Sequence, residues 1–152
     1  MRFLLIGLIT FSLLAADTIR LRHAVTSEKR LQGLMGVKEL PENEGMLFHF
    51  PSKGIHPFWG WGCFLDLGVA YLNDDGTVLE IAHLETYPTD REPDLSNPLV
   101  ARWLAKSTKP RFESAYVLEM QWDWFQKIGL RPGDRIHFSI NSMDATVEKK
   151  GQ

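Results

Sequence analysis

The chain has one cysteine, Cys63, in 152 residues, so no internal disulfide can form and stability has to come from a packed core. It also has no excess of positive charge. Its 17 lysines and arginines face 19 acidic residues, for a net charge of -2, and no basic stripe exists to release counterions from phosphate, so nucleic acid is not an expected partner. Binding to a membrane surface by charge has no better support. Repeats and low-complexity tracts are missing. So are a glycine-rich phosphate loop, a nucleophile elbow, a paired-carboxylate signature and the His-x-x-x-His or Cys-x-x-Cys spacings that fix metal geometry. No metal, no cofactor and no catalytic residue is therefore expected. The length suits one domain with a real hydrophobic core.

One long apolar run is present, at the start. "MRFLLIGLITFSLLAAD" joins a single arginine to apolar residues from Phe3 to Ala16 and then turns polar, the pattern of a signal peptide. The run is short for a transmembrane helix. The small pair Ala15 and Ala16 offers a cleavage point before Asp17, so residues 1–16 are expected to direct export to the periplasm or the cell exterior. Any membrane contact would be through this segment alone.

The remaining chain, 17–148, reads as one β-rich domain. "TIRLRHAV" alternates Ile19, Leu21 and His23 with Arg20 and Arg22, a half-buried strand. "TSEKRLQGLMG" predicts a short helix capped by Thr26 or Ser27, with Leu31, Leu34 and Met35 on one apolar face and Gly36 as its stop. "MLFHF" predicts a strand ended by Pro51. "DLGVAYLN" and "TVLEIAHL" flank "NDDG", a strong hairpin signal because Asp-Gly suits a turn with positive φ. "SAYVLEM", "RIHFSI" and "DATVEK" predict further strands, and "QWDWFQKIGL" a helix closed by Gly129. Between 86 and 112 a proline-rich loop and the helical spacing of "LVARWLAKS" suggest an inserted lid. Strands in hairpins with two or three short helices make a β-rich α+β fold, most economically a small antiparallel barrel or a rolled sheet.

Within this frame, "FWGWGCFLDLG" from Phe58 to Gly68 holds two tryptophans, four glycines and the cysteine. Glycine weakens a strand, so its recurrence marks bends or close approaches. Period-two geometry places Trp59 and Trp61 on one face, where they can serve as core or as a platform for a flat apolar or sugar-ring ligand. Cys63 has no sequence-evident activator and reads as a buried thiol. Glu119, closing "YVLE", is either a general base or a structural carboxylate held by hydrogen bonds.

The order of "GLM" at Gly33–Met35, "GMLF" at Gly45–Phe48, "FW" at Phe58–Trp59, "YVLE" at Tyr116–Glu119 and "GLRPGD" at Gly129–Asp134 resembles the domain-of-unknown-function 192 family. The resemblance implies a compact barrel-like fold, frequent export and no established reaction. Relatives follow Phe-Trp with Met-Lys-Asn-Thr and, shortly after, a proline and an aspartate. Here Gly60, Trp61, Gly62 and Cys63 stand instead, followed by Asp66 and Gly68, so the polar set of relatives is absent.

The expected function is non-enzymatic binding of a small molecule or cell-envelope component through an aromatic groove, with Trp59, Trp61, Cys63 and Glu119 as ligand-binding residues. Trp59 is expected in the core, whereas Trp61, at the family's lysine position, is expected to face solvent or ligand. Two rivals stand beside this: a hydrolase or transferase using Glu119 with a histidine, and a protein-interaction module presenting the helix at Leu99–Ser107. Oligomeric state is not legible.

Overall fold

A computed structural model describes residues 17–151; the expected signal peptide at 1–16 lies outside them. The strands are β1 (Asp17–Ala24), β2 (Glu44–Gly54), β3 (Gly60–Trp61), β4 (Leu67–Leu72), β5 (Val78–His83), β6 (Thr86–Tyr87), β7 (Ser114–Gln121), β8 (Arg135–His137) and β9 (Asp144–Glu148). Three short helices join them: α1 (Ser27–Gln32), α2 (Pro98–Leu104) and α3 (Trp122–Ile128). Seven strands form one sheet in the order β5-β4-β7-β2-β1-β9-β8, and β3 pairs with β6 apart from it.

The large sheet is antiparallel except between β1 and β2, which run parallel. A parallel pair needs a crossover, and α1 with its following loop supplies it. The sheet curls until its edges meet at one corner. There the Val78 N–H donates to the Asp134 carbonyl, the Gly133 N–H to that of Val78, and the Ile136 N–H to that of Gly76. The result is the rolled, half-barrel sheet with three short helices that the alternating strands predict.

The curl has two apolar faces. On one, Ile19, Leu21, Leu47, Leu118 and Met120 meet Trp124 and Phe125 of α3. On the other, Phe48, Val69, Tyr71 and Val117 meet Leu34, Cys63 and Leu84 from the connections. Strand alternation sorts the residues: Leu118 and Met120 face one core, Val117 and Glu119 the other. Both faces of β4 are covered, so all six of its residues are buried.

Several boundaries differ from the sequence expectation. Helix α1 stops at Gly33, with φ 51, rather than at Gly36; Leu31 is consequently 76% exposed, and Leu34 enters the core from the chain beyond the helix. Strand β2 runs through Pro51, because a register shift between His49 and Gly54 takes the proline out of the ladder. Strand β8 ends at His137 instead of Ile140. The 86–112 segment is not only loop and helix, since β6 pairs parallel with β3, Thr86 opposite Gly60 and Tyr87 opposite Trp61.

Candidate functional site

An open groove of about 440 Å³ lies between α1 and the chain leading from β2 into β3. Phe48 and Phe50 reach it from β2, Ile55, His56, Pro57, Phe58 and Trp59 from the connection, and Ser27, Arg30 and Leu31 from α1. The aromatic rings hold one another edge to face. Phe58 stands perpendicular to Phe48 at 4.8 Å between ring centres and nearly so to Phe50 at 6.4 Å. His56 stacks flat on Phe50 at 3.6 Å. Leu31 and Ile55, both largely exposed, form an apolar lip.

At its base the groove adjoins a chamber of about 40 Å³, lined in common by Arg30, Leu31, Phe48, Phe58 and Trp59, and closed by Gly33, Leu34, Met35, Cys63 and Glu119. Glu119 lies here because the alternation of β7 turns it to the same face as Val117, between Met46 of β2 and Val69 of β4. It is 3% exposed. Burial pushes its carboxyl up to about 8, and a hydrogen bond from the Leu34 N–H opposes that only in part. The acid is therefore predominantly neutral at pH 7. Its Oε2 atom has no hydrogen-bond partner. Above it sits Gly33, where a Cβ would lie 3.3 Å from Phe48 Cζ and 3.8 Å from Oε2, so the glycine that the positive φ requires also keeps the chamber open.

The polar rim is basic. Arg30 donates from Nη1 to the Val25 carbonyl at 2.8 Å and the His49 carbonyl at 3.0 Å, and its guanidinium lies 5.8 Å from the Phe50 ring centre. Among the described residues, no carboxylate other than Glu119 lines either space. His56 Nε2, like Glu119 Oε2, is buried without a partner, and burial holds the His56 ring below the ordinary histidine range.

The structure brings Trp59, Cys63 and Glu119 of the expected site to this chamber and leaves Trp61 out. The expected exposure of the two tryptophans is reversed. Trp61 is 4% exposed, its Nε1 donating to the Arg91 carbonyl at 3.0 Å, whereas Trp59 is half-buried and forms the groove wall. The 86–112 segment is the cause. Tyr87 lies on Trp61 at 5.0 Å, Trp103 on Tyr87 at 5.1 Å, and Lys106 over Trp103 at 4.3 Å, a stack that Trp59 begins 6.2 Å from Trp61. The glycines have separate reasons. A Cβ on Gly60 would meet the Glu85 carbonyl oxygen at 2.3 Å, one on Gly68 the Trp122 ring at 2.5 Å, and Gly62 has φ 72.

Cys63 is buried, and its thiol is pushed up to about 12, first by burial and then by Glu119, which makes it inert. Among the described residues no histidine hydrogen-bonds Glu119 or Cys63. His23 bonds His49 at 2.8 Å, His83 bonds Asp66 at 2.6 Å, and His137 bonds Glu148. No group of three or more potential metal ligands occurs among the described residues. Helix α2 buries Val100 against its own chain and leaves Leu99 and Leu104 partly outward.

Sequence reasoning missed Arg30, Gly33, Phe48, Phe50 and His56 as site residues. A signal for two of them, Gly33 and Phe48, was present: "GLM", the Phe48 of "GMLF", "FW" and the Glu119 of "YVLE" converge on the chamber. The family's sequence profile, described as an uncharacterised ACR, matches residues 12–138. The chain belongs to the domain-of-unknown-function 192 family. Two solved structures share its fold. A suggested transcription regulator from Sinorhizobium meliloti is 24% identical with a TM-score of 0.60, the match covering 80% of this chain and 94% of the other. A protein of unknown function from Novosphingobium aromaticivorans is 23% identical, also with a TM-score of 0.60, covering 86% of this chain and 75% of the other. Among curated proteins, none matches the chain.

Proposed function

We propose that this member of the domain-of-unknown-function 192 family is an exported, non-enzymatic domain that binds a small molecule or cell-envelope component in the aromatic groove. One observation carries the reading: an open apolar groove of about 440 Å³ leads to a chamber where a buried carboxyl oxygen has no partner. Pockets of this size, mostly apolar with a few convergent polar groups, are the usual form of small-ligand sites. The hydrolase or transferase reading has less support: among the described residues no histidine hydrogen-bonds Glu119, His56 lies in the groove rather than the chamber, and His23, His49, His83 and His137 bond other partners. Transcriptional regulation, suggested for the Sinorhizobium meliloti neighbour, finds no electrostatic footprint in a chain of net charge -2. Export is supported by the apolar run before Asp17.

A tryptophan-fluorescence screen of the protein against envelope sugars, lipids and metabolites tests binding. A saturable change that disappears in Trp59→Ala supports the groove; a response that survives that substitution, or no response at all, overturns it. Mass spectrometry of the protein from its native host tests export, and an intact Met1 on soluble cytoplasmic protein ends that part of the reading.

A further inference from the structure

We propose that the groove selects ligands bearing an uncharged hydrogen-bond acceptor, such as a carbonyl oxygen, on a flat apolar body that enters polar end first to meet Glu119. The inference rests on the groove being a binding site, as proposed above, and adds what it recognises. Two observations independent of the groove's shape bear on the ligand's polar group: a buried oxygen that awaits a partner, and a surrounding charge that disfavours a cation. Glu119 Oε2 is a buried polar atom without a partner, on a side chain 3% exposed. A group so buried and unpaired costs free energy until something completes it. The charge around it is positive or zero. From α1, Arg30 lines the chamber; from the β3–β4 connection, Cys63 contributes a neutral thiol; Met46 and Phe48 of β2 and Val69 of β4 carry no titratable group. An ammonium ligand would enter past the Arg30 guanidinium and find no carboxylate at rest. An acceptor oxygen finds an acid proton.

The direction of the Glu119 shift agrees with this arrangement. The carboxyl is pushed up to about 8, so its O–H is available near neutrality and lost in alkali. Over the range in which Glu119 loses its proton, the Cys63 thiol stays protonated, its own value pushed up to about 12, and burial keeps the His56 ring below the ordinary histidine value. A chamber of about 40 Å³ has room for one small polar group and not for a ring. The flat body therefore stays in the groove, between Trp59 and Phe50, while only its oxygen descends.

The test uses the full chain and three probes: acetophenone, its oxygen-free isostere α-methylstyrene, and the permanent cation phenyltrimethylammonium. Binding is read from NMR shifts of the Leu34 amide and the Trp59 indole. Acetophenone is expected to bind about tenfold or more tightly at about pH 6 than at about pH 10, the loss of one hydrogen bond to a buried partner. The α-methylstyrene affinity is expected to be flat with pH, and Glu119→Gln, which keeps a donor without titrating, to flatten the acetophenone profile. Equal, pH-independent binding of acetophenone and α-methylstyrene overturns this inference and leaves the groove reading intact. So does preference for phenyltrimethylammonium with affinity rising toward alkali. Absence of any shift with all three probes overturns both.

Discussion

Trp59 and Trp61 are two residues apart and stack ring on ring at the start of β3, yet they belong to different parts of the molecule. Trp61 is sealed beneath the 86–105 segment by Tyr87, with its indole N–H held by the Arg91 carbonyl. Trp59 caps the same stack but turns its other side to a groove. The difference lies in what the 86–105 segment covers. By adding β6 beside Gly60 and Trp61, the 86–105 segment covers Trp61, and the groove lies on the side of the tryptophan pair that this segment does not reach.

The sharpest way to break this comparison is to truncate both rings. Trp61→Ala is expected to cost about 3–5 kcal/mol, the range for a buried aromatic replaced by alanine, read by urea denaturation. A loss as small as that of Trp59→Ala would mean that the 86–105 segment does not seal it.

Next in size is the titration of Glu119 on the groove side. The unfolded carboxyl has the ordinary value of 4.5 and the folded one is about 8. In that interval the native state holds a proton that the unfolded state has lost. The contribution of the neutral acid is therefore complete below about pH 4.5 and is lost as pH rises to about 8. Stability of the wild type relative to Glu119→Gln should fall by about 2–4 kcal/mol across that window, at about 1.4 kcal/mol per pKa unit and allowing for relaxation of the site. A pH-independent difference in paired denaturation curves would show that Glu119 is not buried as a neutral acid.

Gly60→Ala addresses the seam between the two regions. The new methyl would meet the Glu85 carbonyl, so β6 must move away at a cost of about 1–3 kcal/mol, the usual penalty for overpacking. Increased hydrogen exchange at Thr86 and Tyr87, with the groove unchanged, is the expected signature; unchanged protection there would detach β6 from the role assigned to it. The smallest effect is expected for Trp59→Ala, about 1 kcal/mol or less, as for partly exposed positions. A larger loss in the same denaturation series would make Trp59 core and remove the groove wall.

Much of the strand layout was legible because alternation and turn chemistry are local. Ile19 and Leu21 against Arg20 and Arg22, the Asp-Gly turn with Gly76 at φ 80, and Gly129 as a left-handed helix stop all follow from nearest neighbours. Partnership is not local. The parallel pairing of β1 with β2 depends on a crossover whose return path no residue in either strand specifies. The pairing of β6 with β3 joins two dipeptides 26 positions apart, too short for any periodic signal.

The candidate site divides along the same line. That Glu119 shares a face with Val117, and that Trp59 shares one with Trp61, was determined by period-two geometry alone. That Cys63 would be an unactivated thiol followed from its lack of sequence neighbours able to lower its pKa. Only the tertiary structure decided that Glu119 has an unpaired oxygen, that Gly33 opens the space above it, and that Arg30 lines the chamber beside it, because each depends on which segments the curled sheet brings within a few ångströms. It also decided which tryptophan is covered, since burial is a property of what lies on a residue and the residues lying on Trp61 come from the far side of a hairpin.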